Sequence, residues 1–469
     1  MNAHRYDFVV IGGGSAGYNA AGTAARLGLK TAVIEGGEEV GGLCILRGCM
    51  PSKTFLESGH RALNIQRASE FGLQAEFHGV DGKSVLERKH RLIADFAGYR
   101  RQQLESGKFA FIRGHAGFID SHTVEVRLMD GGVERVEGTT FLIATGSKIN
   151  WIDIPGLREA GVMTSDDVLE SAKTPRSVIV LGGGPTGLEF ASYYAGIGAH
   201  VTVIQRGSRL IKETDPDVAH ALSAALGKRG LQVFLDTKLI ALERDGDTRR
   251  VRFQHLRQER VVEADEIIYA LGRKPNTDGL GLERAAVEVG KNGAVVINSH
   301  QQTTAKHIFA AGDVSGPYEV VHIAIQQAEL AARNAVRLVR ESIEPLEKID
   351  YALKLFAVFT HPQLAMAGLS LREAIDDGIE VIEACYPFDD HGKSMVRGET
   401  EGFVKLIARR DTKQIIGAAA VGPEVAEIIH EIVVAMSFGA TAAQLAKIPH
   451  YHPTLSEIWT YPAEALAEA

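Results

Sequence analysis

Two of the three cysteines, Cys44 and Cys49, stand five positions apart in the stretch Gly41-Gly42-Leu43-Cys44-Ile45-Leu46-Arg47-Gly48-Cys49-Met50-Pro51-Ser52-Lys53. Thiols at that spacing can close a short loop as a disulfide. Gly48 permits a tight turn just before Cys49, because it has no Cβ to clash. Pro51 suits the first turn of a helix, where its missing N–H costs nothing, and the pattern predicts a helix over residues 52–67. Cys49 then lies at the positive end of that helix, where a thiolate is favoured over a thiol. Lys53 adds a second positive charge one turn on. A closable pair with one member poised as a thiolate is a redox arrangement. Zinc would also begin from neighbouring thiols, but it takes four ligands, and neither a second thiol pair nor a close histidine cluster follows. No metal site is expected.

The other chemically suggestive group is His450-Tyr451-His452-Pro453-Thr454-Leu455-Ser456-Glu457. Pro453 biases His452 toward an extended conformation, which puts the imidazole on a loop ahead of a helix. Thr454 and Glu457 have capping-box spacing, which gives the acid a structural role. Alternatively Glu457 orients His452 as a general base. The motif alone leaves both open.

These groups need a scaffold, and the chain spells one out twice. Residues 7–11 form an apolar run that suits a buried parallel strand. Gly12-Gly13-Gly14-Ser15-Ala16-Gly17 follows, then an alanine-rich helix pattern, then a strand over 31–34 that ends at Glu35. In this dinucleotide fingerprint Gly12 makes the turn, Gly14 lets a pyrophosphate approach, Gly17 permits close helix packing, and Glu35 accepts from a ribose. The pattern returns as a strand over 177–181, Gly182-Gly183-Gly184-Pro185-Thr186-Gly187, a helix to about residue 198, and a strand over 201–204. A later apolar strand ends at a glycine in each half, at Thr145-Gly146 and at Gly272-Arg273. Two such units predict two bound dinucleotides.

The second unit ends its strand at Gln205-Arg206 instead of an acid. A carboxylate there would repel a 2′-phosphate. Arg206, helped by Arg209 or Lys212, attracts one, so NADPH is read over NADH.

At 469 residues the chain exceeds a single core. A net charge of −8 argues against a nucleic-acid partner, and no apolar run is long enough to span a bilayer. The N-terminus enters a strand directly, without a signal-peptide core. Three cysteines in so long a chain suit a reducing cytoplasm, where a cysteine pair is more often catalytic than structural. Residues 84–104 read as a solvated helix with a basic face. Residues 109–136 read as short strands with hairpin turns, and 141–147 as another buried strand ending in a glycine turn. Asp313, after the strand 308–310, reads either as a cofactor contact or as a helix cap. Beyond about residue 346 the pattern becomes α+β without a fingerprint, and lone Cys385 reads as structural.

Taken together, these pieces resemble the class I pyridine-nucleotide-disulfide oxidoreductases, the group with dihydrolipoyl dehydrogenase, glutathione reductase and mercuric reductase. The match runs in family order through Gly12–Gly17, Glu35, Gly41–Lys53, residues 144–147, 182–189, 272–276, 312–313 and 452–457. The resemblance implies an α/β protein with two doubly wound dinucleotide-binding domains and a C-terminal α+β dimerisation domain. Residues 1–148 with 276–345 would bind FAD, 149–275 NAD(P), and 346–469 would form the homodimer. Gly12, Gly14, Gly17, Glu35, Lys53, Ala116, Thr145, Gly146 and Asp313 would hold FAD. Gly182, Gly184, Gly187, Gln205, Arg206 and Gly272 would hold the nicotinamide cofactor. Lys53 and Glu189 would pair beside the flavin, Cys49 would face it, and Cys44 would exchange with a disulfide or dithiol substrate. His452 and Glu457 would come from the partner subunit. Electrons would pass between NAD(P)H and a disulfide, with an NAD(P)H:quinone or metal-ion acceptor reductase as the alternative. Two departures bear on substrate choice: Arg47 puts a charge beside the thiols, and Pro185 replaces the aromatic gate of many relatives.

Overall fold

The computed structural model describes residues 4–469. Two compact units are each assembled from separated stretches. One comprises the chain up to residue 51 with 88–150 and 272–350; the other comprises 52–87, 151–271 and 351–469.

In the first unit the strand His4–Ile11 pairs in parallel with Thr31–Glu35 on one side and Val133–Ile143 on the other. Its residues Phe8, Val9, Val10 and Ile11 are buried, as a parallel strand covered on both faces demands. Ala110–Asp120 and Ile308–Ala310 extend the sheet in parallel, and Thr123–Leu128 runs antiparallel between Ala110–Asp120 and Val133–Ile143. Of the separate strand predicted over 141–147, residues 141–143 belong to this longer strand. They are the buried end of an eleven-residue strand whose outer half pairs antiparallel with a hairpin and whose inner half pairs in parallel with the core. Helices Ser15–Arg26 and Val321–Val339 pack through small residues, Ala20, Ala21 and Ala24 against Ala328, Ala331 and Ala335.

In the second unit five parallel strands stand in the order Gln232–Phe234, His200–Ile204, Ser177–Leu181, Glu266–Tyr269 and Met163–Thr164. The C-terminal part is an antiparallel sheet ordered Leu355–Val358, Gln363–Gly368, Ile415–Gly422, Phe403–Arg409 and Val381–Pro387. The helix Val425–Ser437 covers it with Val425, Ile428, Ile429 and Ile432, and Trp459 closes the same core. The architecture is the α/β fold with a C-terminal α+β part that the sequence predicts. Among the described residues no helix is long and apolar enough to cross a membrane, and no group of three or more His, Cys, Asp or Glu residues is arranged to hold a metal ion.

Candidate active site

The central strand of the first unit leads into Gly12, where φ is +106° and a Cβ would stand 2.4 Å from the Ala144 carbonyl oxygen. Only glycine meets both demands. A Cβ on Gly17 would fall 1.8 Å from the Gly12 carbonyl oxygen, so the helix Ser15–Arg26 packs tightly onto the turn. Gly14 caps that helix with no side-chain acceptor, and beyond it lies only the Gly42 Cα, 3.6 Å from where a Cβ would stand. Uncapped N–H groups over an open glycine face fit the pyrophosphate of FAD. Glu35 accepts from the N–H of Gly13 at 2.7 Å and of Gly37 at 2.6 Å. Its remaining lone pairs suit a ribose.

At the end of the long strand, Thr145 donates its hydroxyl to the Asn276 carbonyl at 2.7 Å, and the Asn276 N–H donates to Gly146 at 2.9 Å. Ser147 donates to the Asp313 carboxylate at 2.7 Å and accepts from the Arg273 guanidinium at 2.8 Å. Asp313 does not cap a helix, because the next one starts at Val321. Ala116 is half-buried in Ala110–Asp120, opposite Val126.

The second fingerprint repeats this geometry. Gly182 has φ +109° and a Cβ there would meet the Ala270 carbonyl oxygen at 2.3 Å; one on Gly187 would meet the Gly182 carbonyl oxygen at 2.4 Å. Gly184 caps the helix Pro185–Gly196 without a side chain and faces open space. Pro185 takes the first turn of that helix. Gln205 stands in for Glu35: its amide oxygen accepts from the Gly183 N–H at 3.0 Å. Arg206 is exposed. Arg209 turns its guanidinium to the Lys212 carbonyl at 2.9 Å, and Lys212 lies 3.6 Å from Glu213. Gly272 keeps φ +104° with no neighbour where a Cβ would stand.

Cys44 lies in the helical turn Gly42–Leu46, and Cys49 opens the helix Cys49–Gln66, three residues earlier than the sequence pattern predicts. The chain doubles back between them. A Cβ on Gly48 would stand 2.9 Å from the Leu43 carbonyl oxygen and 3.1 Å from the Cys44 Cα. Both cysteines are half-buried. Arg47 is exposed and pairs with Glu39, so its charge is partly met. Arg100 is a residue the sequence reading passed over as part of a solvated helix face. Its guanidinium lies 4.1 Å from the centre of the Tyr18 ring, with Nε and Nη1 buried and without hydrogen-bond partners among the described residues. Burial pulls Arg100 below the usual arginine value, against the pull of Tyr18 and Cys44.

Lys53 and Glu189 meet as implied. The ammonium lies 2.8 Å from both carboxylate oxygens and 4.6 Å from the centre of the Phe359 ring. Glu189 also accepts from the Phe359 N–H at 3.2 Å. The acid is buried while the lysine side chain keeps 32% exposure, so the pair presents its cationic end.

His452 and Glu457 also meet, with Nδ1 3.1 Å from the carboxylate. The imidazole is 79% exposed and the acid side chain only 10%. A buried acid hydrogen-bonded to an exposed ring can hold that ring's orientation. The capping-box reading fails: Ser456–Trp459 is a short 3₁₀ turn with no side-chain cap. His391, which no local pattern singles out, lies fully buried with Nε2 3.4 Å from the other Glu457 oxygen. At Cys385 burial, with Glu383 and Asp217 acting the same way against Lys405, pushes the thiol up to about 11, so it stays protonated at neutral pH.

Residues 6–328 match the family model of the pyridine nucleotide-disulphide oxidoreductases, and residues 356–463 match that family's dimerisation domain. A mercuric reductase of Bacillus cereus is 33% identical over 453 residues, covering 96% of this chain and 70% of that protein. A dihydrolipoyl dehydrogenase of Chlamydia trachomatis is 32% identical over 456 residues, covering 97% and 95%. Among solved structures, the Cu(II) complex of the HOCl-induced flavoprotein disulfide reductase RclA from Escherichia coli superposes with a TM-score of 0.85 at 26% identity, covering 99% of this chain and all of that one. The dimerisation domain makes the protein a homodimer. The chain belongs to the class I pyridine-nucleotide-disulfide oxidoreductases and is an FAD- and NAD(P)H-dependent flavoprotein oxidoreductase acting on sulfur groups.

Proposed function

We propose that the protein passes electrons between NADPH and a small or protein-bound disulfide, in the manner of a dihydrolipoyl dehydrogenase, through Cys44 and Cys49. The observation that carries this reading is the turn closed at Gly48, which folds Cys49 back toward the Cys44 backbone and starts a long helix on Cys49. Bound FAD supplies the two-electron relay between nicotinamide and sulfur. Cys49, at the helix N-terminus, is the thiolate held on the flavin side, and Cys44 is the thiol that exchanges with substrate. FAD rests on Gly12, Gly14, Gly17 and Glu35, with Ala116, Thr145, Gly146 and Asp313 along its length. NADPH rests on Gly182, Gly184, Gly187, Gln205 and Gly272, with exposed Arg206 toward the 2′-phosphate. Lys53, anchored by Glu189, places a fixed positive charge beside the flavin.

His452, oriented by Glu457, takes and returns the proton of Cys44 across the subunit boundary. Phe438 and Tyr451 are 85% and 84% exposed on the dimerisation part, which supports a second copy covering that face. The domain limits follow the three functions, with FAD on 1–148 and 276–345, NADPH on 149–275, and the dimer on 346–469. We place the protein in the cytoplasm, where reduced thiols persist.

The test is NADPH-dependent turnover of lipoamide by the holoenzyme. Cys44→Ser and Cys49→Ser are each expected to lower it at least 1000-fold, and retention of turnover by either variant refutes the reading. A second reading has a specific support, since the mercuric reductases and the Cu(II) complex among the relatives associate this scaffold with metal ions. There the same thiols present a metal ion as substrate. Faster NADPH oxidation with Hg(II) or Cu(II) than with any disulfide would favour it, and quinone reduction that survives both serine variants would favour a simple acceptor reductase.

A further inference from the structure

The carboxylate of Glu457 has two imidazole neighbours. Its outer side meets exposed His452 at 3.1 Å, and its inner side meets His391 Nε2 at 3.4 Å. His391 has no exposed surface, and Nε2 faces Glu457 without a hydrogen bond of ordinary geometry among the described residues, with the Thr454 backbone also acting on the ring. Its other nitrogen, Nδ1, lies 2.9 Å from the buried Ser394 hydroxyl. With Ser394 donating to Nδ1, the proton of the neutral ring sits on Nε2 and faces the acid. Burial pushes His391 down, against the pull of Glu457, and so keeps the ring neutral.

We propose that His391 is a positioning residue, which holds Glu457 from within and thereby sets how firmly the His452–Glu457 dyad retains its proton. This rests on the reading of His452 as the general base. An N–H dipole that faces the carboxylate from within stabilises its charge, so the acid draws less strongly on the imidazolium of His452.

Other groups stand around the array, the Thr454 backbone among them. From the C-terminal helix, the Tyr461 ring lies 6.4 Å from that of His391 and stacks on Tyr386 at 3.9 Å. Tyr386 donates to the Asp390 carboxylate at 2.9 Å, which engages the acid next to His391 in sequence. Asp389 and Lys393 belong to the same segment. His450 is held by Glu431 at 2.6 Å. Against these, His391 Nε2 faces the Glu457 carboxylate from the buried side at 3.4 Å.

The test is the pH profile of kcat/KM for disulfide turnover by the dimeric holoenzyme. His391→Phe removes the donor and keeps a ring in the space; the limb governed by the dyad should move about half a pH unit alkaline. His391→Asn, which can still donate, should lie nearer the parent. Ser394→Ala frees the ring to carry its proton on Nδ1, so the limb should move the same way by a smaller amount. It also decides the matter if the histidine variants do not fold. An unmoved limb in Ser394→Ala together with an unmoved limb in any folded His391→Phe overturns the proposal. His452→Gln separates this outcome from failure of the base reading: if that variant keeps both turnover and the limb, the dyad is not the base at all.

Discussion

Gly12 and Gly182 turn their strands with φ of +106° and +109°, each against a carbonyl oxygen little more than 2 Å from where a Cβ would stand. Each fingerprint then sends the N–H of its second glycine to the side chain that ends the next strand, Gly13 to Glu35 and Gly183 to Gln205. Up to that bond the two sites are one device built twice. At the bond they diverge, since Glu35 is an anion and Gln205 is neutral and followed by exposed Arg206. They diverge again two residues past the last glycine. Asn19 donates to its own helix at the Ser15 carbonyl, 2.8 Å away, whereas Glu189 holds Lys53. Backbone geometry makes a dinucleotide site, and a few side chains decide which dinucleotide it takes and whether the helix also serves the chemistry.

The strongest way to break this comparison is to fill each cradle in turn. Gly184 faces open space and a Cβ on Gly14 would meet only the Gly42 Cα at an ordinary contact distance of 3.6 Å, so Gly14→Val and Gly184→Val should fold. Gly14→Val is expected to purify without flavin absorbance. Gly184→Val should stay yellow and lose at least 100-fold in the rate of reduction by NADPH. If both variants lose flavin, or neither does, the assignment of one cofactor to each fingerprint is wrong.

Arg206→Glu sharpens the difference at the ribose. Replacing attraction by repulsion at a 2′-phosphate should shift the ratio of kcat/KM for NADPH over NADH by about 10- to 100-fold toward NADH; an unchanged ratio removes Arg206 from the site. Lys53→Met probes the divergence at Glu189. It leaves a buried carboxylate with only the Phe359 N–H and a distant Ser52 hydroxyl at 3.5 Å. Thermal or denaturant unfolding should show a loss of about 2 kcal/mol, discounted for the partly exposed lysine. The matching Asn19→Ala should cost less than half of that.

The smallest effect concerns pH. His361, in the second unit, is pushed down to about 2 by burial, with Arg229, His60, Arg67 and Arg397 acting in the same direction. The folded protein keeps it neutral, and the unfolded chain protonates it below its ordinary value of 6.5. Stability is therefore intact above about pH 6.5 and falls on acidification, by about 1 kcal/mol between roughly pH 6.5 and 5.5. Denaturant titrations at the two values should show that slope in the parent and a shallower one in His361→Gln.

The sequence carried the repeated local features well. The glycine turns, the apolar strands and the helix after the cysteines each follow from a few adjacent residues, and the helix start was missed by only three. Contacts between distant residues were another matter. Lys53 and Glu189 are 136 positions apart, and only the family resemblance joined them. Spacing offered Glu457 to Thr454, but the acid is taken by His452 and by His391 from a distant stretch of chain. Arg100 disappeared into a polar helix because nothing local marks its place on Tyr18. The run over 141–147 reads as a strand of its own because the burial pattern changes along Val133–Ile143, from alternating to continuous.

The central claim is that electrons leave through Cys44 and Cys49. Anaerobic titration of the holoenzyme with NADPH, followed by absorbance, tests it most directly in parallel with Cys44→Ser and Cys49→Ser. The parent should develop a long-wavelength band from the Cys49 thiolate beside oxidised flavin. Cys44→Ser should show that band before any reductant is added, and Cys49→Ser should bleach without it. Identical spectra for the parent and Cys49→Ser would contradict the account.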